Sequence, residues 1–179
     1  MQNGNSELKM SVEELRSKID LTKKKWKNIR NTNCYAYALG LDVKTQEIME
    51  EAYMPGFMAG YEYYPPYDYT LSNLTTGLYK DMDFLGIDIK EVDPKEQLSE
   101  EEWKIALSVL FHPSKEKNPH EDRILSFHFF REINGIWVHK PGFKKRITNK
   151  DRKKKIITDI ENCNIGYHKL QACYSLKLK

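Results

Sequence analysis

The chain has 179 residues, 40% of them apolar and 12% aromatic, which suits one globular domain and excludes a disordered or fibrous polymer. Its 29 basic and 26 acidic residues leave a net charge of +3, too balanced to point to nucleic acid by itself. No stretch approaches the roughly 18 apolar residues of a membrane-spanning helix. Three cysteines, an odd number without Cys-x-x-Cys spacing, make neither a disulfide framework nor a structural zinc site, so a reducing compartment is expected. The first ten residues are polar and lack the apolar core of a secretory signal. A cytoplasmic location is therefore expected, or delivery outside by a route without a signal peptide.

Residues 11–30 read as a helix. Ser11 followed by Glu14 has capping-box spacing, in which each side chain satisfies the other residue's backbone donor. A second, short helix begins near Asn33, runs through Cys34-Tyr35-Ala36-Tyr37-Ala38-Leu39 and stops at Gly40. Residues 53–69 are rich in Gly, Pro and Tyr and read as a long irregular loop, such as a lid or a cleft wall. Ser72 to Leu85 is the next helix, ended by Gly86. Ile87 to Val92 alternates as a half-buried strand does, and the Ile105, Leu107, Val109, Phe111 alternation favours another strand. Leu170 to Leu178 reads as a last strand.

The sharpest local signal is the pair of β-rich runs Ile124–Ile133 and Ile136–Lys140, joined by Asn134-Gly135. Asn-Gly is the favoured two-residue hairpin turn, because both positions need positive φ. Such a turn pairs Ile133 with Ile136, Glu132 with Trp137, Phe130 with His139 and His128 with Pro141. Paired residues share a face, and so do residues two apart, so His128 and His139 become diagonal neighbours on one face. A one-residue slip would separate them.

Cys34 opens the second helix, where unpaired backbone N–H groups favour a thiolate and can hold the oxyanion of an attacked carbonyl. The competing reading is a buried cysteine acting as a small apolar residue. Cys163 and Cys173 lack this setting and read as structural. No pair of histidines has metal-motif spacing, and neither metal nor cofactor is expected.

A lone cysteine opening a helix, followed by a strand histidine, a hairpin and a second histidine, resembles the papain-like superfamily, and within it the NlpC-type cell-wall peptidases and CHAP amidases. The resemblance covers the two motif regions and their order. The flanks of Cys34 depart from the peptidoglycan-peptidase pattern, where Asp precedes the cysteine and Ser-Gly follows it. The resemblance implies an α+β, papain-like fold: N-terminal helices (1–30 as an extension), then the nucleophile helix packed on a small antiparallel sheet of four to six strands. It implies Cys34 as nucleophile, His128 as base and His139 as the residue orienting that base. Asn28 or Asn31 is the candidate second oxyanion donor, and Tyr35, Tyr61, Tyr63, Tyr64 and Trp137 are candidates for the substrate-binding surface.

The activity implied is that of a peptidase or amidase with an acyl-enzyme intermediate; an acyltransferase or deamidase would use the same parts. A catalytically silent binding module is the alternative. It would use the basic run that includes Lys144, Lys145, Arg146, Lys153, Lys154 and Lys155 to dock an acidic partner. A nucleic-acid binder using the Lys/Arg runs would betray itself by steep salt dependence.

Overall fold

The computed structural model describes residues 11–19, 32–41, 54–61, 70–112, 123–142 and 145–179. Three helices are α1 (Val12–Lys18), α2 (Cys34–Ala38) and α3 (Leu71–Phe84). Five strands are β1 (Ile87–Val92), β2 (Glu102–Phe111), β3 (Ile124–Ile133), β4 (Ile136–His139) and β5 (Lys169–Leu178). The strands form one antiparallel sheet in the order β1-β5-β2-β3-β4, so the fold is α+β with a five-stranded open sheet.

Each helix starts where a side chain takes up an orphan backbone donor. At α1 the Glu14 N–H donates to Ser11 Oγ (3.2 Å) and the Ser11 N–H to Glu14 Oε2 (2.9 Å), which is the expected capping box. The continuation of this helix towards residue 30 lies outside the described residues. At α2 the Ala36 N–H donates to Asn33 Oδ1 (2.9 Å), and Gly40, at φ 72°, ends the helix. At α3 the cap is Thr70, whose Oγ1 accepts from the Asn73 N–H (3.1 Å). The helix therefore begins a residue earlier than Ser72.

The hairpin has the expected register: Ile133 faces Ile136, Glu132 faces Trp137 and Phe130 faces His139. Asn134 (φ 53°) and Gly135 (φ 75°) both take the left-handed conformation that the turn needs. The ladder stops at His139. The expected pairing of His128 with Pro141 does not form, since proline has no N–H to give a ladder.

The sheet is apolar on both sides. On one face Ile105, Leu107, Phe129, Tyr174 and Leu176 pack against Leu15, α2 and α3. On the other, Ala106, Phe130, Trp137 and Cys173 pack against Ile157 and Ile160 of the segment before β5. The central strand β2 is consequently buried almost throughout.

Two contacts lock the helical layer. Gly77 of α3 lies against the turn at Pro55 and Gly56, and a β-carbon there would run into the Pro55 carbonyl. Asp81 is wholly buried. Its Oδ2 accepts from the Tyr35 hydroxyl (2.9 Å) and the Gly56 N–H (2.7 Å), and its Oδ1 from the Ala59 N–H (2.9 Å). One carboxyl thus joins α2, α3 and the 54–61 turn. Burial raises its pKa to about 7, against the pull of these donors.

Two outcomes follow. Gly77→Ala destabilises by about 1–3 kcal/mol in urea melts, because overpacking outweighs the gain of roughly 1 kcal/mol in helix propensity. Asp81→Asn costs about 1–3 kcal/mol, since its amide turns a donor towards a backbone N–H. The fold favours the protonated carboxyl. Its contribution is therefore complete below about pH 4 and is lost as the pH rises through about 7. The stability difference between wild type and Asp81→Asn, measured at pH 4.5 and 7.5 (about the two ends of that window), shrinks towards the higher pH.

Candidate active site

Cys34 is the first residue of α2 and is half-buried against the apolar cluster of the helical face. Burial pushes its thiol up to about 11, although the backbone N–H groups of Phe129, Cys34 and Tyr35 all point at the sulfur and oppose the shift. The helix start therefore supplies the expected donors, but desolvation wins and the resting sulfur is a neutral thiol.

The two hairpin histidines meet as their register requires. His128 Nε2 lies 2.7 Å from His139 Nδ1, and His139 Nε2 lies 3.1 Å from the Lys150 carbonyl oxygen. A carbonyl only accepts, so His139 carries its proton on Nε2 and leaves Nδ1 bare. His128 must then donate from Nε2, which leaves its Nδ1 as a lone pair. That nitrogen has no hydrogen-bond partner among the described residues. The Lys150 carbonyl is delivered by backbone pairing of His139 with Thr148: the His139 N–H donates at 2.8 Å and the Thr148 N–H at 2.9 Å. One chain of hydrogen bonds thus fixes both tautomers.

Electrostatics keeps both rings neutral. Burial, then the neighbouring His139 and His168, brings the pKa of His128 down to about 3. Burial also lowers that of His139, partly offset by the bond to Lys150. The edge of Phe130 packs on His128, with ring centroids 4.8 Å apart.

The structure does not join the cysteine to this pair. Ser126, His128 and Phe130 project to the face of the second apolar cluster, whereas Phe127 and Phe129 project to the face covered by α2. The Cys34 sulfur reaches the sheet at the Phe129 N–H, one residue from His128. Among the described residues no hydrogen bond links the sulfur to the His128 ring. His128 and His139 instead line a cleft of about 590 Å³, together with His168, Leu110, Ile165 and the rim residues Lys150, Arg152 and Lys154; Cys34 is absent from its walls.

Three substrate-binding candidates stand elsewhere than expected. Tyr35 is fully buried and spends its hydroxyl on Asp81. Trp137 is 2% exposed and packs into the second cluster with Phe130 and Ile157. Tyr61 lies against α3, with its hydroxyl donating to Asn73 Oδ1 (3.0 Å) and Lys80 over its ring, and does not line the cleft. Asn28, Asn31, Tyr63 and Tyr64 lie outside the described residues.

His168 is the residue that sequence reasoning missed. Its Nε2 is 2.8 Å from Ser126 Oγ, and its ring stands beside His128, with centroids 6.4 Å apart. It arrives there because β5 pairs with β2, which pairs with β3, and no local pattern announces that order. Among the described residues no group of three His, Cys, Asp or Glu side chains is placed to hold a metal ion.

No family model, no curated protein and no solved structure matches the chain.

The tautomer chain has a direct readout. In nitrogen-detected NMR, His128 and His139 both show Nε2–H tautomers at pH 7, and His128 stays neutral down to about pH 3. Because the folded pKa of His128 is depressed, its stability contribution is complete above about pH 6.5 and is lost as the pH falls towards about 3. A His128 signal that titrates near pH 6.5 contradicts this geometry.

Proposed function

We propose that the chain is a cysteine hydrolase of papain-like type, acting on an amide or peptide bond through an acyl-enzyme formed on Cys34. The observation that carries the reading is the fixed relay from the Lys150 carbonyl through His139 to His128, which leaves a bare Nδ1 as base. A triad needs its base oriented by a third group, and His139 meets that requirement.

In this mechanism the Cys34 thiol proton passes to His128 Nδ1 as sulfur attacks the substrate carbonyl. The oxyanion forms beside the N–H groups of Cys34 and Tyr35, which already point at the sulfur. Collapse expels the amine, which takes the proton from His128, and water then attacks the thioester with His128 again as base. An amine acceptor in place of water gives an acyltransferase, and a glutamine side chain as substrate gives a deamidase. The resting pair is thiol and neutral imidazole, so charge separates only during the reaction. The mechanism requires the sulfur and the His128 ring, which stand on opposite faces of the sheet in this structure, to be brought together when substrate is bound.

A second reading is favoured by one observation. Cys34 neither lines the cleft nor bonds to His128, as expected of a silent binding module whose basic segment docks an acidic partner.

p-Nitrophenyl acetate, a reactive ester with little demand for specificity, separates the two. The hydrolase shows a burst of nitrophenol and an acetyl group on Cys34 by mass spectrometry. The rate falls roughly 100-fold or more in His128→Ala, the usual contribution of a general base. Acetylation at equal rates in wild type and His128→Ala removes the hydrolase reading and leaves the binding module.

A further inference from the structure

The cleft on the histidine face has features that the hydrolase proposal does not use. Its volume of about 590 Å³ is that of a site for a small organic molecule. Leu110, Pro141 and Ile165 make apolar wall, and Tyr167, 83% exposed, stands at the mouth as a free aromatic surface.

The rim is cationic and uncompensated. Lys150, Arg152 and Lys154 line it, and none of the three has an ion-pair partner among the described residues. Among the described residues the one acid in the lining is Asp151, whose oxygens are already taken: Oδ1 accepts from the Lys155 N–H (2.9 Å) and Oδ2 from the Asn164 N–H (3.2 Å). With the histidines neutral, three cations against one carboxylate leave a formal charge of +2 among the described residues of the cleft.

These cations sit on an ordered platform. The Asp151 N–H donates to the Lys155 carbonyl (2.9 Å) and the Lys154 N–H to the Asp151 carbonyl (3.0 Å), and Lys150 bridges to Ile156. The Arg152 guanidinium rests on Gly166, where a β-carbon would collide with it, and its charge bears on His168. Lys154 holds a left-handed backbone, φ 63°, which glycine adopts without steric cost and lysine does not. A strained residue whose side chain lines a cleft points to use of that side chain.

We propose that this cleft binds a phosphate monoester carried on an aromatic or apolar body, with Lys150, Arg152 and Lys154 holding the dianion and Tyr167 covering the body. Two positive charges match a dianion, and the apolar wall excludes bare inorganic phosphate as the whole ligand. The site goes beyond the hydrolase proposal and stands whether or not Cys34 is a nucleophile.

The test is calorimetric titration with phenyl phosphate, benzoate and benzyl alcohol, on wild type and on Cys34→Ala so that binding and acyl chemistry are read apart. Phenyl phosphate is expected to bind both proteins equally, at least about tenfold tighter than benzyl alcohol and tighter than benzoate. Its affinity should fall as salt rises. Lys154→Gly is expected to keep or raise the melting temperature, since the backbone strain is relieved, while weakening phenyl phosphate about tenfold. Lys154→Gln removes the charge without changing the chain's freedom to the extent glycine does, and must weaken the ligand as well. Absence of binding at about 1 mM phenyl phosphate, equal affinity for benzyl alcohol, or undiminished binding by both Lys154 variants overturns the proposal.

Discussion

The two-residue turn at Asn134 and Gly135 sets the geometry on which the histidine site depends. Both residues sit at positive φ, so the chain reverses with no residue to spare. Phe130 then opposes His139, and His128 comes within 2.7 Å of it. The same register leaves the His139 backbone to pair with Thr148, which brings the Lys150 carbonyl to the far side of the ring. A larger residue with no access to the left-handed region at Gly135 would shift the ladder and turn one histidine to the other face. The tautomers of the two histidines and the cleft wall they form both descend from one turn.

Burial then decides the charge states. Desolvation disfavours whichever form is charged, so it raises the acids and lowers the bases. Cys34 rises to about 11 and Asp81 to about 7, while His128 falls to about 3. Near neutrality Cys34 and His128 are thus uncharged, while Asp81 is about half ionised. Asp81 and His128 pull stability in opposite directions across the mildly acid range, so the pH profile of the whole chain is a difference of two terms. For the proposed hydrolase chemistry the same desolvation would be a handicap at rest, because a thiolate–imidazolium pair is not preformed. It would also be an advantage during that proposed reaction, since backbone donors act strongly in a water-poor site.

The sheet separates two chemistries by its faces. The helical face holds Cys34 with its three amides, and the opposite face holds three histidines and the cationic rim. The two approach at the Phe129 amide, where β3 passes the end of the β4 ladder. Ligand on the histidine face would press on Lys150, whose carbonyl fixes the tautomers of His139 and His128. An anion bound as proposed and the proposed base would therefore be joined by one short loop.

Local physics was enough for much of this chain. The Ser11–Glu14 box, the Asn33 cap, the strand at Ile87–Val92 and the Asn-Gly hairpin are all legible in sequence, because each rests on contacts between residues a few positions apart. The meeting of His128 and His139 was legible for the same reason: a tight turn and a period of two determine it. The tertiary structure alone decided the rest. Periodicity states which residues share a face but not which face a helix covers, so the separation of Cys34 from His128 was hidden. Nothing near Cys34 in the sequence announced that Tyr35 would be sealed against Asp81, a residue 46 positions away. His168 and the Lys150 carbonyl reach the cleft only through the order β5-β2-β3 and an isolated bridge, contacts whose partners lie far apart in the chain. Such contacts are chosen by the burial of the whole core, which no short window of sequence contains.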